Sequence, residues 1–177
     1  MNQEEERLAT LKLCIPKLFT LHYPSSCLYI GASITRSECA QELKRAGYEI
    51  TLVEAFALNA DYHRGSKLFK VVIHDDIMRA VAYLPPFDVV FWWHGPEHMV
   101  REDLPYLIKR LDSLAKKYIV LACPWGVYEQ GEWGGNPHEV HHSHLYPGDF
   151  PGWNVMTSGV VDTRGSNMIV WKVKSEN

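Results

Sequence analysis

The stretch CLYIGASITRSECAQELKRAGYEITLVE, Cys27 to Glu54, constrains this chain more than any other. Cys27 to Ile30 is a short apolar run that stops at Gly31, a residue free to take backbone angles closed to others and to let a ligand approach the main chain. Thr35 with Glu38 has capping-box spacing, which predicts a helix from about Arg36. Cys39, Ala40, Leu43 and Ala46 give that helix an apolar face, and Gly47 supplies a left-handed stop. Ile50 to Val53 reads as the next buried strand, ending at Glu54.

A strand, helix and second strand in that order form a right-handed parallel unit, which puts the glycine turn and the end of the second strand on one carboxyl edge. Open α/β sheets bind ligands there. Glu54 stands where such sheets place an acid that accepts hydrogen bonds from ribose hydroxyls; its structural alternative is a strand end facing water.

The rest of the chain repeats the rhythm. Glu4 to Leu13 reads as a helix ended by Pro16 and Lys17 to His22 as a second short one, a preamble that covers a sheet edge or roofs a cleft. Tyr23 to Ser26 reads as a turn, Ala55 to Gly65 as a weak helix with Asp61 to Arg64 exposed, and Leu68 to Ile73 as a third strand. Asp75 or Asp76 suits a helix cap before Ile77 to Ala82. Phe87 to Trp93 is a strongly apolar fourth strand running into His94-Gly95-Pro96-Glu97-His98. Pro105 opens a helix whose apolar stripe is Leu104, Leu107, Ile108, Leu111 and Leu114, with Lys116 and Lys117 suited to its negative end. Tyr118 to Cys123 is a fifth strand. Residues 126–152 break the pattern with Gly, Trp, His and Pro and a short helix around His138 to His144, then Trp153 to Gly159 and Met168 to Val173 read as an antiparallel strand pair. A loop of that length in a compact domain belongs to a lid or substrate segment, and its aromatics favour order.

With 177 residues, 46% of them hydrophobic, the chain suits one domain with a substantial core, residues 1–26 as helical cover and 126–152 as a substrate-side loop. A net charge of -3 argues against broad electrostatic binding to polyanions, so no nucleic-acid or membrane partner is expected. Cys14, Cys27, Cys39 and Cys123 form no Cys-x-x-Cys pair and read as reduced, and the charged N-terminus lacks both leader and span, which makes the cytoplasm the expected compartment. Homo-oligomerisation is left open.

The pattern resembles the class I S-adenosylmethionine-dependent methyltransferases, over about Cys27 to Val173. The resemblance implies a Rossmann-like α/β three-layer sandwich whose seven-stranded, mostly parallel sheet ends in an antiparallel strand pair. It implies that Tyr29, Ile30, Gly31, Ala32 and Ser33 approach the methionine portion of S-adenosylmethionine, that Glu54 holds the ribose, and that Asp75, Asp76 and Ile77 contact adenine. The edge from Trp93 to His98 corresponds to the acceptor-facing side, with Trp93 beside the cofactor. Gly31 stands alone where the family carries several glycines, and no Asn-Pro-Pro-Tyr type of sequence follows the fourth strand, which lowers nucleobase and glutamine acceptors.

Methyl transfer from a sulfonium is an in-line displacement that needs alignment and, for a protonated acceptor, a base. His94 and Glu97 are the candidates for that work; their structural alternatives are a loop hydrogen bond and a helix cap. Trp92 and Trp93 must face opposite sides of the sheet, so at most one of them sees ligand. Trp125, Trp133, His141 and His142 are candidate acceptor contacts. His138 and His142 have helical i, i+4 spacing with Glu139 beside them, which keeps a metal-dependent hydrolase or lyase as the alternative; a non-catalytic nucleotide-binding module is the third reading. No native metal is assigned. On these residues alone, Glu54→Ala is expected to weaken cofactor binding and leave the melting temperature unchanged.

Overall fold

A computed structural model describes residues 3–20, 25–163 and 165–174. Among the described residues, five α-helices and seven strands follow one another: α1 (Gln3–Cys14), β1 (Ser25–Ile30), α2 (Glu38–Arg45), β2 (Tyr48–Glu54), α3 (Ala57–Gly65), β3 (Val71–His74), α4 (Ile77–Ala80), β4 (Phe87–Trp93), α5 (Leu104–Leu114), β5 (Ala115–Cys123), β6 (Asn154–Ser158) and β7 (Asn167–Val173). They build one seven-stranded sheet in the order β3-β2-β1-β4-β5-β7-β6. β1 to β5 run parallel, and β7 and β6 close the sheet antiparallel. The fold is therefore the Rossmann-like sandwich with the terminal antiparallel pair that the sequence pattern implied.

Alternation along each strand splits the core into two layers. Tyr29, Leu52, Phe91, Trp93 and Val120 pack with Leu8 and Leu11 of α1 and Cys39, Ala40 and Leu43 of α2. Leu28, Ile30, Val53, Trp92 and Leu121 pack with Ile77 and Ala80 of α4 and Leu104, Leu107 and Leu111 of α5. Trp92 and Trp93 thus point to opposite faces. Because both faces of β4 are covered, its sequence FDVVFWW shows almost no polar alternation.

Several boundaries differ from the sequence reading. α2 starts at Glu38, two residues late, because the Ser33 hydroxyl accepts the Thr35 N–H at 3.2 Å and Ser33 bridges to Arg36, an extra turn in place of the expected capping box. The second short helix is a 3₁₀ turn at Pro16–Phe19, and Ser25 and Ser26 already belong to β1; His22, Tyr23 and Pro24 lie outside the described residues. β3 is displaced to Val71–His74 while Phe69 buries in the core. Lys116 and Lys117 lie in β5, which follows α5 without a loop, so they do not cap that helix. His63 is buried, not exposed, because α3 turns Asn59, Ala60 and His63 inward together. No helix spans His138 to His144; a 3₁₀ turn at Pro137–Glu139 is all that forms there, since Pro137 starts it and Val140 is extended. Among the described residues, no helix is long and apolar enough to cross a membrane.

Candidate active site

β1 and β4 are neighbours although β2 and β3 intervene in sequence, so the strand order reverses between them. Crevices form at that point on the carboxyl edge. A cavity of about 620 Å³ opens there, walled by the ends of β1, β2, β3 and β4, by Arg7 of α1 and by residues 128–142 of the long loop.

Its first wall is the Gly31 turn. Gly31 has φ +69°, a left-handed angle glycine takes without strain, and its N–H donates to the Val53 carbonyl at 2.9 Å. Glu54, 4% exposed, reaches across: one carboxylate oxygen accepts the Ala32 N–H at 2.7 Å and the other the Phe56 N–H at 2.8 Å. From behind, the His63 ring donates through Nε2 to the Ala32 carbonyl at 3.0 Å and packs edge-on against Phe69. Burial pushes the Glu54 carboxyl above its ordinary value, although the Ala32 and Phe56 amides pull the other way. Burial likewise holds the His63 imidazole below its ordinary value. A carboxylate offers about four acceptor positions; the Ala32 and Phe56 amides and the Asn59 side chain take three, which leaves about one for a ligand hydroxyl.

The second wall follows β3. Asp76 caps α4 by accepting the Met78 N–H at 2.7 Å, and Asp75 is drawn to the Tyr83 hydroxyl at 2.8 Å and Arg79 at 2.5 Å. The Tyr83 hydrogen bond is the chief cause that lowers the Asp75 carboxyl. Both carboxylates line the cavity while holding these contacts, and Ile77, buried beside them, supplies an apolar surface.

The third wall is the loop after β4. Tyr29, Phe91 and Trp93 form a stacked ladder, with ring centroids 5.3 and 5.5 Å apart, that carries Trp93 to the cavity. His94 then takes φ +52°, a strained angle for a side-chain-bearing residue, fixed by its N–H donating to the Ala122 carbonyl at 2.8 Å. Trp92 lies over Gly95 so closely that a Cβ there would meet the indole at 1.6 Å. Arg7 Nη1 is 2.6 Å from His94 Nε2, and His94 Nδ1 is 3.3 Å from Glu97 Oε1. A guanidinium only donates, so Nε2 accepts and the His94 proton sits on Nδ1, toward Glu97. That pairing occupies Nε2, the nitrogen a base would use, and turns the Nδ1 proton toward Glu97. Glu97 is 2% exposed. Burial pushes its carboxyl up, but the His94 hydrogen bond and the neighbouring His98 and His94 outweigh it and leave it below the ordinary value.

The long loop forms the roof. The His142 and Ser143 N–H groups donate to the Glu97 carbonyl at 2.8 and 3.1 Å, and the Ser143 hydroxyl donates to the Met99 carbonyl at 2.6 Å. Leu145 and Phe150 bury in the core and anchor the far side. His141 becomes buried against Tyr128 and His98, and burial lowers its imidazole below the ordinary value.

Of the residues singled out from sequence, Tyr29, Gly31, Ala32, Ser33, Glu54, Asp75, Asp76, Ile77, Trp93, His94, Glu97, Trp133, His141 and His142 all line this cavity. Trp125 lies outside that lining: its indole N–H donates to the Ser158 carbonyl at 3.2 Å and the ring packs on the α4–α5 layer. The i, i+4 histidine pair does not form, for want of a helix. His98, read from sequence as the end of the acceptor-facing edge, also lines the cavity, whereas sequence reasoning missed Arg7, Asn59, Tyr128, Gln130 and Asn136 on the wall.

No protein-family model matches the chain, and no curated protein matches it in sequence. Many solved structures share its fold. A SAM-dependent methyltransferase from Archaeoglobus fulgidus superposes with a TM-score of 0.68 over 97% of this chain and 94% of its own, at 20% identity. Magnesium protoporphyrin IX methyltransferase from Synechocystis PCC 6803, with bound SAH, gives 0.62 over 98% and 83%, at 16% identity. The DhpI–SAH complex gives 0.62 over 98% and 93%, at 13% identity. The chain therefore has the Rossmann-like fold of the S-adenosylmethionine-dependent methyltransferases.

Proposed function

We propose that this protein is an S-adenosylmethionine-dependent methyltransferase acting on a small molecule, with residues 126–152 as the substrate-side roof. The observation that carries this reading is Glu54: a buried acid bracing the Gly31 turn at the carboxyl edge, with acceptor capacity left facing the cavity. The walls suit the cofactor. Gly31 has nothing within 4 Å of the position its Cβ would take, which leaves the turn open to a ligand. Glu54 would hold ribose hydroxyls, Ile77 the adenine face, and Trp93 with the turn the methionine end. When bound, the cofactor supplies an electrophilic methyl group on a sulfonium. The chain's own residues orient the acceptor through Trp133, His141 and His142, and His94 with Glu97 holds a proton at Nδ1. Fold neighbours crystallised with SAH lend support, and four free cysteines, three of them buried, fit the reducing cytoplasm.

The test is SAH release from S-adenosylmethionine over a panel of hydroxyl-, carboxyl- and amine-bearing small molecules. Release above the acceptor-free control with at least one class is expected. Cofactor binding without release across the panel would favour a non-catalytic nucleotide-binding module.

A further inference from the structure

The acceptor side of the cavity contains a second constellation, in Glu97, His98 and His141. One donor atom from each lies within 4.8 Å of the other two. His98 Nδ1 donates to the Val140 carbonyl at 3.2 Å, and His141 Nδ1 donates to the Tyr128 carbonyl at 2.7 Å. Each backbone bond fixes the tautomer that leaves Nε2 as a bare lone pair, which is how proteins prepare imidazoles for metals. His98 Nε2 stands 3.9 Å from Glu97 Oε1. Independently, Glu97 Oε2 is buried with no hydrogen-bond partner among the described residues, although the residue is 2% exposed and lines the cavity. A buried carboxylate oxygen without a donor is costly unless something absent from the chain fills the gap.

We propose that Glu97, His98 and His141 bind a divalent first-row transition ion. Donors around such an ion at about 2.1 Å stand roughly 3–3.5 Å apart, so modest side-chain rotation closes the set. Two imidazoles and one carboxylate favour zinc, iron, cobalt or manganese over magnesium or calcium, which prefer all-oxygen cages. Three protein ligands leave coordination positions open toward the cavity, where an oxygen-donor ligand can complete the shell. His94 is not a ligand, since Arg7 takes its Nε2; it supports Glu97 from behind. The roof segment delivers His141, because its His142 and Ser143 amides bond the Glu97 carbonyl itself. The ion stands apart from the transferase reading and does not depend on it.

The experiment titrates Co²⁺ into the untagged, metal-free protein by visible absorption, with Zn²⁺ competition and Mg²⁺ as the contrast, and measures SAH affinity in the same samples. One Co²⁺ per chain, displaced by Zn²⁺ and not by Mg²⁺, is expected, and acetohydroxamate should change the cobalt spectrum through the open positions. His98→Ala, His141→Ala and Glu97→Gln should each weaken Co²⁺ by more than the roughly 10–100-fold that loss of an outer support costs a metal site, whereas His144→Ala should not. Melting without metal checks folding: a Zn²⁺-dependent rise in Tm present in wild type and absent in His141→Ala keeps the assignment even where a variant is weakened. Wild type that binds SAH but no Co²⁺ or Zn²⁺, or His141→Ala that binds Co²⁺ as tightly as wild type, overturns the metal site. Co²⁺ binding intact with no SAH binding overturns the transferase reading alone. An unchanged cobalt spectrum on adding acetohydroxamate overturns the oxygen-donor ligand.

Discussion

The two sides of the cavity are built by different means. The Gly31–Glu54 side is assembled by main-chain hydrogen bonds inside one strand-helix-strand unit: the Gly31 amide on Val53, and the Ala32 and Phe56 amides on Glu54. The His94–His141 side is assembled by side chains brought from α1, the loop after β4 and the roof, with Arg7 reaching His94 across 87 positions of sequence. A site half made of local backbone survives wide sequence change, since few side chains define it. The other half depends on individual residues, which is where specificity resides.

Removing the carboxylate should break the first half most severely. Glu54→Ala is expected to weaken S-adenosylhomocysteine at least about 100-fold and to cost about 1–3 kcal/mol of stability, because two amides lose their acceptor. The fall in Tm revises the expectation drawn from sequence, where Glu54 served the ligand only. Calorimetry and thermal melts together check this; unchanged affinity would remove Glu54 from the site.

Gly95→Ala tests the second half where its backbone lies against the Trp92 indole. The added methyl meets the Trp92 indole, and a loss of about 1–3 kcal/mol in denaturant unfolding is expected from overpacking. Stability equal to wild type would mean that the indole swings away freely.

At His94 the two halves should separate. His94→Ala should cost turnover while S-adenosylhomocysteine affinity holds, and His94→Gly should be more stable than His94→Ala by about 1 kcal/mol, since glycine relieves the φ of +52°. A parallel fall in cofactor affinity would merge the halves.

The smallest effect is expected far from the cavity. Asp88 accepts the Ser26 N–H and hydroxyl at 2.9 and 3.0 Å and pairs with Lys117 at 3.2 Å. Burial pushes its carboxyl up, but Ser26 and Lys117 outweigh it, so its folded value lies below the ordinary 3.8. A lowered folded value means that the stabilisation is present above 3.8 and disappears as pH falls through the folded value. Asp88→Ala should therefore lose about 1 kcal/mol at neutral pH, with cofactor affinity unchanged, and the difference from wild type should close under acid. A gap that persists below that range would assign the loss to packing.

What was legible in the sequence follows the same division. The Gly31 turn, Glu54 and the apolar strands were readable because local pattern dictates them: a glycine at a strand end and continuous apolar runs in strands covered on both faces. Arg7 and the burial of His141 were not, because nothing near them in sequence records that α1 and the long loop reach the wall of the same cavity. Thr35 and Glu38 misled for a related reason: the spacing of a capping box was present, but the Ser33 hydroxyl had already taken the Thr35 amide.

The most direct measurement is calorimetric titration of S-adenosylmethionine and S-adenosylhomocysteine into metal-free protein, with NAD as the control nucleotide. Selective binding of the two sulfur nucleosides, one per chain, is the expected result. Absence of binding, or equal binding of NAD, would contradict a methyl-donor site at this sheet edge.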